Sequence, residues 1–240
     1  MISTGSVERL TEAVARAQVH WSSGPKEEAA RLTVALAREA GAAGTSVARA
    51  VGARLGWPVY DHELVEHIAK EMGLRARLLE SVDERTRNWM LEWAENFRFN
   101  SPDVVSEGGY VRHLAQTILS LGARGECVIV GRGAAFLLPP QRTLRVRLVG
   151  RLEDRIAFTA RRLGVSEKEA ARWVEDTDRH RQSFARNHFN GDVTDPKNYD
   201  LILNTSRWSH AECADFIADA VGRLKKHAAR AAGERGVSTP

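Results

Sequence analysis

The chain has 240 residues, a length that suits one α/β domain with a small insertion. Hydrophobic residues make up 43% and charged residues 28%, enough for a sizeable core under a solvated surface, and no apolar run approaches the ~20 residues a membrane helix needs. A formal charge of +4 and a pI near 9.3 favour an anionic ligand, whether nucleotide, RNA or membrane surface, without choosing among them.

The opening MISTGSVERL lacks the basic-then-apolar pattern of a signal peptide. The two cysteines, Cys127 and Cys213, are too widely spaced for a disulfide framework or a zinc site. Both features point to a soluble, cytoplasmic protein with buried free thiols. Val7, Leu10, Val14 and Ala17 recur at helical spacing until SSGP at 22–25 breaks the pattern, so residues 1–26 form a helical extension. RLTVALA, 31–37, predicts the first strand. It runs into the small-residue loop REAGAAGTS and a helix through VARAVGARLG, closed by Gly56. WPVYD, 57–61, predicts a second short strand, and HELVEHIAKEMG a helix ending at Gly73.

Residues 74–110 are helix-rich and charged, with an NSPD turn at 100–103. Trp89, Trp93 and Phe97 stand at i, i+4 and i+8, a stripe that packs a core or lines a binding subdomain. A helix from about Tyr110 to Leu121 leads to a third strand at 127–130, apolar throughout as a buried parallel strand is. TLRVRLVG, 143–150, predicts the fourth strand, and 151–163 an arginine-rich helix ended by Gly164. Ser166 and Glu169 then make an S-x-x-E capping box for the next helix. YDLILNTS, 199–206, predicts the fifth strand. The last helix, 209–227, grades into a basic, small-residue tail over 225–240 that is expected to be flexible. The alternation predicts an α/β fold, a parallel five-stranded sheet flanked by helices, with its ligand site at the carboxyl ends of the strands.

The loop after the first strand has the composition of a phosphate cradle, in which backbone N–H groups and a helix N-terminus hold an anion that side chains would obstruct. Against the pattern G-x-x-x-x-G-K-[ST], Arg38 opens the loop and Gly41 lies inside it. Ala43 holds the second glycine position, Gly44 the lysine position and Thr45 the magnesium-binding position, with Ser46 beside it. A plain strand-to-helix turn is the other reading of the same residues. His62 and His67 are five apart, poor spacing for a metal pair on a helix, and no Ser–His–Asp or Cys–His pattern stands out.

The block RLTVALAREAGAAGTSVARAVGARLGWPVYDHEL resembles the opening of the cytidylate kinase-like family, in which a strand leads to a R-E-x-G-S-G-G loop, a helix and a G-[IW]-P-x-Y-D turn. Arg38, Glu39, Gly41 and Gly44 match the loop, and Gly56, Pro58, Tyr60 and Asp61 match the turn. Ala42 and Ala43 depart from it, and this branch commonly lacks the loop lysine. ECVIVGRGAAFLL is similar to the C-V-I-V-G-R segment, although Gly133 stands where cytidylate kinases often carry an acidic residue. Asp178 and Arg181 match a D-x-x-R helix, and Tyr199, Asp200, Leu201, Asn204 and Thr205 match a Y-D-L-x-[IL]-N-T strand. The resemblance spans roughly 32–220, within a domain drawn at 27–224.

The resemblance implies a P-loop nucleoside monophosphate kinase fold with a lid and acceptor-binding helical insertions. It implies transfer of the γ-phosphate of ATP to CMP or dCMP, with ATP and Mg²⁺ on the 38–46 loop and Thr45 meeting the metal. Eleven arginines lie between 142 and 186. Arg151, Arg155 and Arg162 share a stripe about 40° wide at 100° per residue. By resemblance this is the lid: Arg155 and Arg162 reach the transferred phosphate with Arg181 beside it, and Arg132 holds a nucleotide phosphate. Asp178 orients Arg181 or contacts the acceptor, and Asp61 is an acceptor-site residue or the N-cap of the following helix. A non-catalytic nucleotide-binding relative with a regulatory or partner-binding role is the alternative, motivated by Gly44, Ala43 and Gly133. An RNA-binding role would follow from the basic balance alone, but the arginines lie on motif helices and no aromatic-rich RNA-binding signature accompanies them.

Overall fold

The structure is a computed structural model and describes residues 31–61 and 107–236. The helices expected at 7–21 and 62–73, the NSPD turn and the stripe from Trp89 to Phe97 lie outside those residues. Five strands form one sheet: β1 (Thr33–Arg38), β2 (Val59–Tyr60), β3 (Val128–Val130), β4 (Thr143–Val149) and β5 (Leu201–Asn204). Their order is β2-β3-β1-β4-β5 and every pairing is parallel, so the expected parallel five-stranded sheet is present. The chain leaves β1 toward β2 and β3 on one side and later fills β4 and β5 on the other. The crevice between such diverging connections is where open α/β sheets bind ligands.

Six helices accompany the strands among the described residues: α1 (Gly44–Leu55), α2 (Glu107–Arg124), the single turn α3 (Ala134–Leu137), α4 (Leu152–Leu163), α5 (Glu167–Phe189) and α6 (His210–Gly236). β1 is buried on both faces over Thr33–Leu36, which is why its middle, Val34–Ala37, reads as an apolar run. Val34 and Leu36 pack on one side with Val47 and Val51 of α1 and Ile217 and Val221 of α6. Ala35 packs on the other with Leu114 and Ile118 of α2, Leu137 of α3 and Phe189 of α5. Burying a side chain of this size contributes about 1.5–3 kcal/mol, so the two layers fix the sheet from both faces.

Local sequence chemistry sets the helix ends. Gly56 and Gly164 close α1 and α4 in the left-handed conformation that glycine adopts without strain. Ser166 accepts from the Glu169 N–H while the Glu169 carboxylate accepts from the Ser166 N–H, the capping box seen in the sequence. Ser209 and Glu212 form the same pair at the start of α6, a second S-x-x-E capping box. Two boundaries differ from expectation. α1 begins at Gly44 rather than Val47, and α6 runs past 227 to Gly236, so most of the tail expected to be flexible is helix, through a segment whose alanines, lysines and arginines favour it. No helix among the described residues is long and apolar enough to cross a membrane.

Candidate active site

A cavity of about 690 Å³ opens beside the carboxyl ends of β1 and β3, with α5 along its flank. Arg38, Arg132, Asp178 and Arg181 line it together, and Phe136 and Phe184 add apolar wall. Four candidates scattered over 143 positions of sequence thus meet in one place. Arg38 is the last residue of β1. Arg132 follows β3 in a turn whose three residues, Gly131, Arg132 and Gly133, have φ of 77°, 51° and 75°. Arg181 lies on α5 and donates through Nη1 to the Arg38 carbonyl at 3.1 Å. The Arg132 guanidinium sits 5.8 Å from the centre of the Phe184 ring.

These cations are desolvated and crowd one another. Burial pushes the Arg38 guanidinium down to about 9, Arg181 and Arg132 push it the same way, and Asp61 opposes them. Burial likewise pushes Arg181 down, with Asp178 opposing and Arg132 and Arg162 adding to the fall. Arg132 is lowered by burial. Positive charge held out of water and against positive charge attracts an anion strongly, because the anion relieves both costs at once.

The loop between β1 and α1 is held by its own set of bonds. Glu39 accepts from the Gly150 N–H at 3.0 Å, and its carboxylate lies 3.4 Å from Arg155 Nε and 3.6 Å from Arg147 Nη2. The Ala40 N–H donates to Asp178 Oδ1 at 2.7 Å, while the Ala40 carbonyl accepts from Arg155 Nη1 at 3.1 Å. Gly41, with φ of 78°, passes so close to α4 that a Cβ there would lie 2.4 Å from the Arg155 carbonyl oxygen. Ala43 takes the left-handed conformation at φ 50° and offers no side-chain cap to α1. The first N–H groups of α1 have no intrahelical partner and face out of the helix end. Gly44 is buried, Thr45 half-buried and Ser46 exposed in that first turn. Asp61 directly follows β2 and lies near enough to Arg38 to act on its charge.

The expected lid stripe divides. Arg151 is the extended N-cap residue of α4 rather than part of its face. Arg155, which the resemblance sets at the transferred phosphate, has its guanidinium engaged by Ala40, Gly150, Glu39 and Asp178, and so ties α4 to the loop. Arg162 stacks over the Trp173 ring at 5.2 Å. Neither Arg155 nor Arg162 lines the cavity. Glu39 and Arg147, which together pin the loop, carried no functional role in the sequence pattern. Arg147 is 8% exposed and also reaches the Tyr199 hydroxyl at 3.5 Å. A charged residue inside the apolar run of β4 was the available sign. Among the described residues no group of three or more His, Cys, Asp or Glu is placed to hold a metal.

The model of the cytidylate kinase-like family matches residues 33–207. A cytidylate kinase of Methanopyrus kandleri is 31% identical over 109 residues, which cover 42% of this chain and 56% of that protein, so the match spans about half of the relative's length. A cytidylate kinase of Pyrococcus horikoshii is 23% identical over 195 residues, covering 81% of this chain and 90% of that protein. The crystal structure of an uncharacterized protein from Eubacterium ventriosum superimposes with a TM-score of 0.63 at 21% identity, covering 80% of this chain and 99% of the other, a likeness of fold.

Proposed function

The chain belongs to the cytidylate kinase-like family, and on that premise we propose that it transfers the γ-phosphate of ATP to a nucleoside monophosphate, CMP or dCMP. The observation that carries this reading is the meeting of Arg38, Arg132 and Arg181 in one cavity at the strand ends. Phosphoryl transfer asks a protein chiefly to position its substrates and to stabilise charge spread over the moving group. Guanidiniums do both, because their planar donors bind phosphate oxygens in pairs.

The residues present fit ATP and Mg²⁺. The uncapped start of α1 offers backbone N–H groups to phosphate, while Gly41 admits the close approach of the Arg155 carbonyl and Gly44 that of the Arg38 stem. Mg²⁺ takes one or two protein ligands and completes its shell with phosphates and water, so the Thr45 hydroxyl, with Ser46 beside it, suffices without a carboxylate cluster. In the transfer an oxygen of the acceptor phosphate bonds to the γ-phosphorus as the bond to the β–γ bridging oxygen breaks, and ADP departs. Arg132 and Arg181 hold the acceptor phosphate, Asp178 and Asp61 orient the acceptor, and Arg162 swings in from Trp173 when the lid closes and excludes water. Arg155 acts through the loop it holds. The buried free thiols accord with a reducing cytoplasm.

The test is to incubate the protein with ATP, Mg²⁺ and each nucleoside monophosphate in turn and follow ADP. ADP formed with CMP or dCMP, and lost in Arg181→Ala, supports the reading. Gly44 at the lysine position favours one other reading, a nucleotide-binding protein without turnover. Folded protein that binds ATP and forms no ADP with any acceptor establishes that reading instead.

A further inference from the structure

A phosphate loop with glycine at its lysine position lacks the cation that ordinarily follows the β- and γ-phosphates. The side chain of Arg38 occupies the neighbouring space. A Cβ built on Gly44 would lie 2.7 Å from Arg38 Cγ and 3.0 Å from Cδ, so a lysine at 44 would have to start where the Arg38 stem already runs. At its far end, Arg38 Nη1 lies 2.0 Å from where a Cβ on Gly131 would stand. The arginine therefore passes through a corridor with a glycine at each end, one at the start of α1 and one at the end of β3. Its charge emerges at the cavity beside Arg132 and Arg181.

The geometry points to Arg38 as the replacement for the loop lysine: a cation delivered from the end of β1, across Gly44, to the β- and γ-phosphates of the donor nucleotide. Gly44 is then a condition for activity, since it admits the Arg38 stem. The two positions exchange roles, one cation from either side of the loop and room for only one. Burial supports this assignment, because a guanidinium stripped of water gains more from a phosphate than a solvated lysine does. The inference rests on the donor being a nucleoside triphosphate, as proposed above.

The experiment measures equilibrium binding of a non-hydrolysable ATP analogue, ADP and AMP, each with Mg²⁺, alongside the ADP-forming rate. The proteins are the native chain, Arg38→Met, Gly44→Lys and the double variant. Methionine keeps the stem that packs on Gly44 and removes only the charge. Arg38→Met should weaken the ATP analogue by about ten- to a hundred-fold and leave AMP within about two-fold, as loss of a charged hydrogen bond to the outer phosphates predicts. Gly44→Lys alone should lose binding, because its stem collides with Arg38. The double variant should regain at least about ten-fold over Arg38→Met in the analogue's affinity, the lysine now standing in for the arginine. If the native chain binds the analogue and Arg38→Met binds it equally well, the assignment of Arg38 is wrong while the kinase reading stands. If Arg38→Met weakens AMP as much as ATP, Arg38 does not act on the outer phosphates. If the native chain binds no triphosphate, the kinase reading fails and takes this inference with it.

Discussion

Arg155 Nη1 lies 2.6 Å from Asp178 Oδ2, and the other oxygen of the same carboxylate accepts from the Ala40 N–H at 2.7 Å. One side chain of α5 thus holds both the loop between β1 and α1 and the first turns of α4. The pair is mostly enclosed, with side-chain exposures of 11% and 32%, so solvent screens it less than a surface pair. Asp178→Ala leaves the Arg155 charge without its nearest partner and the Ala40 amide without an acceptor. It should cost about 2 kcal/mol of folding stability, the range for a charged hydrogen bond lost from a partly buried network. Asp178→Asn, which keeps an acceptor for Ala40, should cost about half as much. Urea unfolding of the three proteins measures this, and a midpoint unmoved by Asp178→Ala would show that the loop is held by Glu39 without it.

Ala43 is the one loop residue in the left-handed region that carries a Cβ, at φ 50°. That conformation costs roughly 1–2 kcal/mol for a residue with a side chain, and glycine returns part of the gain through its more disordered unfolded state. Ala43→Gly should therefore stabilise the chain by roughly 0.5–1 kcal/mol and raise its Tm by a few degrees. Gly41→Ala should do the reverse. Its φ is 78° and its new Cβ would meet the Arg155 carbonyl oxygen, a backbone atom that cannot step aside. Thermal unfolding of both variants gives the sign in each case, and a lower Tm for Ala43→Gly would mean that the loop stores no strain there.

The sheet, the order of its connecting helices and several helix ends were legible because each rests on local pattern: the apolar run of β1, the glycines at 56 and 164, the S-x-x-E at 166. The loop was legible as well, through its run of small residues between strand and helix. The fate of individual charges was not. Helical periodicity set Arg151, Arg155 and Arg162 on one stripe, yet one stands at the N-cap position with extended backbone, one bonds to the loop and one stacks on Trp173. Spacing along a helix says which side chains share a face. It does not say which carboxylate, far away in sequence, comes to meet them. Asp178 is 138 positions from the amide it accepts from, and Arg181 is 143 from the Arg38 carbonyl.

Both described thiols are held from ionising. Cys127 is fully buried, donates weakly to the Leu121 carbonyl at 3.6 Å and is pushed up to about 12 by burial, with Thr33 opposing. Cys213 is raised by burial and then by Glu212. A free thiol ionises near 8.5, so above that pH the unfolded chain releases protons that the folded chain retains. Stability should then be undiminished below about pH 8.5 and fall as the pH rises past it. Neither thiol should react with iodoacetamide at about pH 8.5 in the native protein, and both should react in urea at the rate of unfolding. Timed alkylation read by mass checks this, and rapid native labelling of Cys127 would contradict its burial.

Gly133 departs from the acidic residue that cytidylate kinases often carry there, and the packing around it gives a physical reason. Its φ is 75°, and a Cβ would fall 2.2 Å from an edge carbon of the Phe189 ring. Phe189 closes α5 and is 4% exposed, in the same cluster as Leu114 and Ile118. An acidic side chain at 133 would therefore bear a backbone penalty, a collision and the burial of a charge beside the ring. Gly133→Asp alone should destabilise by more than about 3 kcal/mol, at the upper end of single substitutions. Phe189→Ala alone should cost about 3–4 kcal/mol through the cavity it leaves. Because the second change makes room for the first, the double variant should be more stable than the two costs added, by about 1 kcal/mol or more. A double-mutant cycle in urea reads that coupling. Strict additivity would mean that the left-handed backbone, rather than Phe189, excludes the carboxylate from this position.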